Sequence, residues 1–418
     1  MNLLKPPAAL AALVLLALTG CGSAPSQQPA SPQPAGGSAT ASDGHGEIPG
    51  VAEVAEPQLH LVAVDASGGT SMLDLLSGAE SRLGQVGAPV NVTTDGRYVF
   101  AANTTGVDVL DTGVWTWDHK DHFHYYRAEP RTIGRIPGEG TATVATGMLS
   151  TAGTTGMFFP SSGTAVLLDN SALSDGAISE ALRLDVEPHA GIIAPLGDGA
   201  VVTAPDGSGV VARLRAIDAG GSEVTSIDCP GASGTITTRV GLVIGCADGA
   251  VIATDDGGTP VLEHVPYPAG AAAPATTFGG RKGRPTVAGT GTGTGSGVWL
   301  LNTRQRAWDW LPTSTPVLAA AAVDDADGHV VVVGDDGTVQ VYDEGTKERI
   351  AATEPLLTQT LADPALAAEV ELAVDGQRTY VSAPAEGVVY EIDYADNARV
   401  ARTLQLPTRP VHLAETGR

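Results

Sequence analysis

The sequence contains few aromatic residues, few basic residues and very little cysteine. Phe, Trp and Tyr make up only 4% of its 418 residues, so a local concentration of these side chains is informative. Lys and Arg number 23 against 47 Asp and Glu. Because nucleic-acid binding depends on clustered Lys and Arg, this balance argues against a nucleic-acid partner. It is compatible with attraction of cations and with solubility outside the cell.

Long apolar runs are missing except at the N-terminus. The run from Ala8 to Leu18 follows one positive charge, Lys5, and it is too short to span a bilayer comfortably. Residues 1–20 are therefore predicted to be a secretory signal. The Leu-Thr-Gly that precedes Cys21 resembles the bacterial lipoprotein box, which implies a lipidated Cys21 and an extracytoplasmic protein anchored to the membrane. The alternative is an ordinary signal with a chance cysteine.

Large apolar residues are nearly absent from residues 21–57, which consist mainly of Ser, Ala, Pro, Gly and Gln. Such a segment buries too little surface to offset its chain entropy, so it is predicted to be a disordered tether. The folded domain is then expected over residues 58–418.

The three cysteines include no Cys-x-x-Cys pair, so no thiolate zinc site is expected. With Cys21 lipidated, Cys229 and Cys246 remain as a pair in an oxidising location. A disulfide between them is predicted.

The rest of the chain has the pattern of β-structure throughout. Short runs of Val, Ile, Leu, Ala and Thr recur between Asp-Gly and Gly-Gly turns. A two-strand unit repeats at intervals near 50 residues or larger multiples, marked by Gly199, Gly249, Gly328 and Gly376. This period is typical of a β-propeller. We predict an all-β fold with a single propeller of seven blades, eight being the alternative count. A β-sandwich array is the structural runner-up, but no module of about 100 residues is evident.

Residues 112–140 interrupt this repeat and contain the most unusual segment of the chain. Three of the nine histidines fall within six positions, interleaved with two carboxylates and flanked by Trp and Tyr. Imidazole and carboxylate are ligands that Zn²⁺ prefers, although Cu²⁺ and Ni²⁺ accept them too. A solvated polar loop is the alternative interpretation. The candidate metal ligands are Asp118, His119, Asp121, His122 and His124.

Alternation places His122 and His124 on one side of an extended segment, whereas His119 and His122 share a face only in a helical turn. The full set is therefore expected on an irregular loop, and loops are where propellers commonly bind ligands.

The segments 111–115 (DTGVW) and 118–126 (DHKDHFHYY) together resemble the extracytoplasmic zinc metallochaperones, which are propeller proteins that work beside a zinc ABC importer. Supporting matches are 187–191 (EPHAG), the two cysteine segments, and 412–418 (HLAETGR). The resemblance implies Zn²⁺ binding and direct transfer to the solute-binding protein of the importer. It also implies His189 and His412 as further ligands.

The chain departs from that family where further histidines are usual. Those places here read Thr141-Ala142-Thr143, Gly231-Ala232-Ser233-Gly234 and Ala190. The departures imply fewer bound ions than in relatives, because a second, channel-type site lacks these ligands.

Motifs of an enzyme are missing: the sequence has no Gly-x-Ser-x-Gly elbow and no His-Glu-x-x-His. We therefore expect a protein that is not an enzyme. The alternative to a metal carrier is a cell-surface propeller that binds proteins or glycans, with Trp308 and Trp310 as a contact platform.

Overall fold

Short antiparallel strands make up nearly all of the regular structure in the computed structural model, which describes residues 50–118, 122–271, 273–291 and 293–418. The predicted signal, Cys21 and most of the predicted tether lie outside the described residues. So do His119 and Asp121.

The strands before residue 140 are β1 (Ala52–Val54), β2 (His60–Val64), β3 (Gly69–Asp74), β4 (Glu80–Gln85), β5 (Asn91–Thr94), β6 (Tyr98–Asn103), β7 (Gly106–Asp111), β8 (Val114–Asp118), β9 (Phe123–Arg127) and β10 (Arg131–Pro137). The elements between residues 140 and 270 are β11 (Thr143–Thr146), β12 (Thr154–Phe159), β13 (Thr164–Asp169), α1 (Asn170–Ser174), β14 (Glu180–Asp185), β15 (Ile193–Leu196), β16 (Gly199–Pro205), β17 (Val211–Ile217), β18 (Glu223–Asp228), β19 (Ser233–Thr237), β20 (Leu242–Cys246), β21 (Gly249–Asp256) and β22 (Thr259–Pro266). The remaining elements are β23 (Thr277–Gly279), β24 (Thr286–Thr290), β25 (Gly297–Asn302), β26 (Ala307–Pro312), β27 (Val317–Ala322), β28 (His329–Gly334), β29 (Val339–Asp343), β30 (Arg349–Ala352), α2 (Thr358–Leu361), α3 (Pro364–Ala367), β31 (Leu372–Val374), β32 (Thr379–Ala383), β33 (Val388–Asp393), β34 (Arg399–Gln405) and β35 (His412–Thr416).

Within the described residues these strands form eight four-stranded antiparallel sheets, the blades of a propeller. Blade 1 runs outward as β35, β2, β3 and β4, so the last strand closes the ring with the first ones. Blade 2 consists of β5, β6, β7 and β10, and blades 3 to 8 each take four consecutive strands, from β11–β14 to β31–β34. The predicted all-β propeller is confirmed, with eight blades, the alternative count, in place of seven.

The sequence period misleads on the count because similar Asp-Gly turns occupy different positions in the blades. Gly199 begins the second strand of blade 4, whereas Gly249 begins the third strand of blade 5. Both positions need glycine because another backbone segment lies close by. A Cβ on Gly199 would stand 1.9 Å from the carbonyl oxygen of Ile217, and a Cβ on Gly249 would stand 2.2 Å from that of Val265. An interval measured between the two is therefore not one blade.

The second and third strands of the blades form the core. In β28 every residue is buried, and its Val330–Val333 run packs against neighbours on both sides. Outer strands such as β18 alternate between exposed and half-buried positions, because one face meets water. Apolar burial between blades, at roughly 25 cal/mol per Å², is the main stabilising term of such a ring.

The predicted disulfide between Cys229 and Cys246 is confirmed. It joins the segment after β18 of blade 4 to the end of β20 in blade 5. The bond thus links two neighbouring blades covalently, and under the chain-entropy model such a loop contributes about 3 kcal/mol.

One insertion departs from the blade pattern. Strands β8 and β9 form a hairpin between the third and fourth strands of blade 2, and β1 adds to the free edge of β9. The irregular loop expected over this segment is therefore largely an ordered three-stranded sheet, because backbone pairing with β1 supplies partners that its own sequence does not reveal. Residues 52–54, assigned to the tether from composition, form β1.

The two ends of the strands define two faces. Connections from first to second and from third to fourth strands lie on one face, called the hairpin face because the β8–β9 hairpin belongs to it. Connections from one blade to the next lie on the opposite face. Thr116 Oγ1 donates to the Gly417 carbonyl at 2.9 Å, and Gly417 N donates to Gly96 O at 2.7 Å, so the hairpin is fastened beside the end of β35.

No helix among the described residues has the length and apolar character needed to cross a membrane.

Candidate metal centre

The β8–β9 hairpin orients its histidines by strand alternation. Trp117 of β8 is paired with His124 of β9, and along β9 the residues Phe123 and Tyr125 point away from the side that His124 shares with the buried Tyr126. His122 lies just before β9 and is exposed. The hairpin thus has an imidazole side and a side that faces the body of the propeller.

Two imidazoles converge on the first of these sides. The Nε2 atoms of His122 and His124 lie 2.9 Å apart, and the ring centroids lie 4.6 Å apart in an edge-to-face arrangement. Two nitrogens bound to one tetrahedral Zn²⁺ at about 2.0–2.1 Å stand about 3.3 Å apart. A small rotation of the exposed His122 ring therefore brings both nitrogens to the separation of a shared ion.

The other nitrogen of His124 is held by a carboxylate. Its Nδ1 lies 2.7 Å from Oε1 of Glu53, which belongs to β1. With Nδ1 protonated toward Glu53, Nε2 carries the lone pair that a metal needs. The carboxylate also fixes the orientation of the ring, as carboxylates commonly do behind metal-binding imidazoles.

Aromatic side chains support the buried half of the site. The His124 ring lies 5.6 Å from Trp117 and 6.2 Å from Tyr126 by ring centroids. Tyr126 stacks on Trp115 at 5.1 Å, and the Arg97 guanidinium lies 3.8 Å above the Trp115 ring. His124 is therefore confined, whereas His122 is open to solvent.

Of the remaining predicted ligands in this segment, Asp118 ends β8 opposite Phe123 and lies 3.4 Å from Arg239. Both side chains are substantially exposed, so this ion pair is weak and readily exchanged. His119 and Asp121 lie outside the described residues.

His189 is not brought to the hairpin. It lies in the connection before β15, on the opposite face, where Nδ1 lies 2.6 Å from the Glu187 carbonyl oxygen and Nε2 lies 2.8 Å from Thr203 Oγ1. Its ring also packs edge-on against Phe158 at 4.7 Å. Both nitrogens are committed to the protein, so in this arrangement the residue organises the inter-blade connection.

His412 also lies on the opposite face, at the start of β35 and about 13 Å along that strand from its hairpin-face end. Its Nδ1 lies 3.5 Å from carboxylate oxygens of both Glu369 and Glu371. Burial disfavours the imidazolium, but the hydrogen bond and charge of Glu371, together with the charge of Glu369, outweigh burial and raise the pKa of His412. A raised pKa increases competition from protons, which weakens this residue as a metal ligand near neutral pH.

A compact group of potential ligand atoms among the described residues consists of Cys246, Asp248 and His264. His264 Nε2 lies 3.0 Å from Asp248 Oδ1. The Cys246 sulfur is in the disulfide and cannot act as a thiolate ligand.

Glu53 is the residue that sequence reasoning missed. It lies in the segment assigned to the tether, and nothing in its local sequence distinguishes it from Glu47 or Glu56. The signal that could have found it is the apolar and β-branched spacing of Val51, Val54 and Ala55, which suggests a short strand but not its partner.

The proposed Trp platform is not supported by the packing. Trp308 is buried and donates through Nε1 to the Val265 carbonyl oxygen at 3.0 Å. Trp310 packs edge-on against Trp299 at 4.8 Å. Both side chains fill space within and between blades 5 and 6.

Comparison with known proteins finds a zinc chaperone among the proteins similar to this chain. The chain is 26% identical over 205 residues to the zinc chaperone AztD of Citrobacter koseri. The matched segment covers 47% of this chain and 48% of that protein. The crystal structure of Citrobacter koseri AztD superposes with a TM-score of 0.74 at 20% identity, covering 87% of this chain and 99% of the other. The chain resembles AztD in fold and, over about half of its length, in sequence. The resemblance predicted from the sequence is thereby confirmed.

The chain spans about half the length of the curated relative it matches, and no family model matches it. The apo structure of AztD gives the same TM-score, 0.74, with 98% of that chain covered. The dihydro-heme d1 dehydrogenase NirN also superposes, with a TM-score of 0.54 at 16% identity, covering 86% of this chain and 76% of the other. Because the propeller is shared with an enzyme, the fold alone does not assign a function.

Proposed function

We propose that this protein is an extracytoplasmic zinc carrier that binds Zn²⁺ at the β8–β9 hairpin and delivers it to the solute-binding protein of a zinc ABC importer. The observation that carries the proposal is the pair of Nε2 atoms of His122 and His124, 2.9 Å apart, with Glu53 behind His124. The likeness to a zinc chaperone supports zinc over Cu²⁺ or Ni²⁺ as the cargo.

The donor set suits transfer between proteins. Imidazole and carboxylate ligands exchange more readily than thiolates, and His122 is exposed where a partner's ligand can approach. His119 and Asp121 are the proposed remaining donors, since two imidazoles leave coordination positions to be filled. Asp118 shares the other side of the hairpin with Phe123 and pairs with Arg239, so it joins the proposed site only after its side chain reorients. His189 and His412 are assigned no part in this site because both lie on the opposite face, where His189 has both nitrogens engaged and His412 Nδ1 lies beside two carboxylates.

Delivery requires no chemical transformation, so the proposed role is not enzymatic. The proposed location follows from Cys21, predicted to be lipidated, and is supported by the Cys229–Cys246 disulfide, which fits an oxidising compartment.

The test is a zinc titration of the protein and of a variant with His122→Ala and His124→Ala, with His264→Ala as the matched control. His264 is a partly exposed histidine with a carboxylate partner on the opposite face. We expect stoichiometric binding that is lost in the double variant and kept in the control. Equal binding in all three proteins would refute the assignment of the site.

Transfer is tested separately by mixing zinc-loaded protein with an apo solute-binding protein in the presence of a chelator. A carrier delivers zinc faster than its own dissociation rate allows, because the ion passes through a complex. Transfer at the dissociation rate would leave a zinc-binding protein without the delivery function.

A further inference from the structure

A cavity of about 650 Å³ lies between the hairpin and the hairpin face of the propeller. Its outer wall includes Phe123 and Tyr125, which alternate with His124 and so belong to the reverse side of the zinc hairpin. Its floor consists of connections between first and second strands, including residues 281–284 and 375–377. The volume is in the range of small-molecule sites in proteins.

The charge of this cavity is opposite to that of the chain. The protein has 23 basic and 47 acidic residues, yet five basic side chains line the cavity against three acidic ones. The acidic residues are Glu56, Asp118 and Asp375. The basic residues are Arg239, Arg281, Lys282, Arg284 and Arg418.

Three of the five cations have carboxylate partners. Arg239 pairs with Asp118 at 3.4 Å and Arg284 Nε pairs with Asp324 at 2.9 Å. Arg418 pairs with Glu415. These pairs organise the wall of the cavity and leave little positive charge to attract a ligand.

Arg281 and Lys282 differ from these three. Lys282 Nζ donates to two backbone carbonyl oxygens, those of Asp95 and of Arg418, the latter at 3.4 Å. Among the residues that the structure describes, neither Arg281 nor Lys282 has a carboxylate within ion-pair distance. Two adjacent cations therefore face the cavity outside any direct ion pair; Asp95 attracts Lys282 from farther away, and Asp375 lines the same cavity.

Both side chains are held in position by their surroundings. The Arg281 backbone N–H donates to the Ala322 carbonyl oxygen at 3.1 Å, which fixes the turn. A Cβ on Gly376 would stand 3.4 Å from Arg281 Nη1, and one on Gly96 would stand 3.0 Å from Lys282 Nζ. The charged ends thus pack against glycine backbone, where a larger residue would displace them.

Lys282 and Arg418 are desolvated, and each is attracted by a nearby carboxylate and repelled by a neighbouring cation. Burial lowers the pKa of Lys282; Asp95 opposes this shift and Arg418 adds to it. Burial also lowers the pKa of Arg418 to about 10; Asp375 and Tyr380 oppose this shift, and Arg281 adds to it. A bound anion would offset the repulsion among these cations.

We propose that this cavity binds an organic anion through carboxylate or phosphate oxygens, with Arg281 as a two-pronged donor and Lys282 as a point charge. A planar guanidinium pairs with two oxygens of one such group, and the ammonium group adds a positive charge without a fixed hydrogen-bond direction beside it. Leu59, Leu76 and Leu149 give the cavity apolar walls that suit the carbon skeleton of an organic anion better than a bare inorganic ion.

The experiment is isothermal titration of the full-length protein, freed of metal with a chelator and dialysed, with three probes. The probes are citrate, inorganic phosphate and a tetraglutamate peptide; they separate a free organic anion, a bare ion and an acidic protein segment as sources of the same chemistry. The variants are Arg281→Gln, Lys282→Gln and the charge-preserving Arg281→Lys. The control is Arg349→Gln, an exposed arginine on the outer strand of blade 7.

We expect saturable binding of citrate or the peptide that is at least tenfold tighter than that of phosphate and weakens as salt is raised. Arg281→Gln and Lys282→Gln should each reduce that affinity at least tenfold, Arg281→Lys should reduce it less, and Arg349→Gln should leave it unchanged. Thermal unfolding identifies a folded variant, and Arg281→Gln alone suffices if Lys282→Gln fails to fold.

Absence of saturable binding for all three probes, or equal binding in the Arg281→Gln and Arg349→Gln proteins, would overturn the proposal. Phosphate binding as tight as citrate binding would overturn the organic part of it. Because the titrations contain no zinc, either failure leaves the zinc-carrier proposal untouched.

Discussion

The hairpin and the opposite face both carry histidines with protein oxygen atoms nearby. The two regions differ in what the remaining imidazole nitrogen of each histidine contacts. At the hairpin, Glu53 holds one nitrogen of His124 while the other meets His122. On the opposite face, both nitrogens of His189 contact protein groups, and His412 lies between Glu369 and Glu371. The meeting of two imidazole nitrogens, not the number of histidines, distinguishes the proposed metal site from the structural histidines.

The largest expected effect is loss of zinc affinity when the converging pair is removed. Replacing His122 and His124 by Ala should weaken Zn²⁺ binding more than 100-fold, because both imidazoles of the proposed site disappear. His412→Ala should change the affinity less than twofold. Competition with a zinc-sensitive dye measures both, and a comparable loss in the His412→Ala protein would remove the distinction between the two regions.

The carboxylate behind His124 should have the next largest effect. Glu53→Gln keeps the shape but removes the charge that orients the ring, and changes of this kind typically cost 10- to 100-fold in metal affinity. Glu56→Gln, three residues away, is the matched control and should bind zinc normally. If the two variants bind alike, Glu53 plays only a structural part.

Binding at the hairpin should also depend on pH. Affinity should fall as the pH drops below about 6.5, because protons compete for neutral imidazole. The same dye assay between pH 5 and pH 7.5 checks this expectation. Affinity that is fully retained at pH 5 would point to carboxylate ligands alone.

A smaller effect, on stability, is expected at His189. Thr203→Val removes the hydroxyl that contacts His189 Nε2 and the Ile192 N–H, leaving buried polar groups without that partner. We expect a loss of about 1–3 kcal/mol in the free energy of unfolding by urea, with zinc affinity unchanged. A change in zinc affinity without a loss of stability would contradict the structural role.

The smallest effect concerns the pH dependence of stability at His412. Because its folded pKa is raised, the stability that it contributes is fully present below about pH 6.5 and is lost as the pH rises through the folded value. Burial raises the pKa of Glu371; the charge of Glu369 adds to this shift and His412 opposes it. The contribution of Glu371 to stability therefore also falls as the pH rises. The free energy of unfolding should therefore fall between pH 6 and pH 8.5, less steeply in His412→Ala than in His264→Ala. Equal slopes would contradict this account.

Some of this structure was predictable from local sequence. The buried second and third strands have continuous Val, Ile and Leu runs, as in β28, so the all-β class and the propeller could be inferred. The number of blades could not, because Gly199 and Gly249 sit at different places in their blades. The disulfide was predictable because only two cysteines remain after Cys21.

The site was predictable in part for a similar reason. Clustering in sequence identifies His122 and His124, since residues two apart on a strand share a side. Glu53 lies 71 positions from His124 and reaches it only through the pairing of β1 with β9. Long-range pairing of this kind leaves almost no trace in a local pattern.

The sequence by itself determined the fold class, the acidic character and the segment that carries the imidazoles, because hydrophobic period, charge and clustering are local properties. The tertiary structure alone decided which nitrogens meet, which histidines are occupied on the opposite face, and that Arg281 and Lys282 line a basic cavity in an acidic protein. These outcomes depend on contacts between distant segments, and closing the ring of eight blades is what brings those segments together.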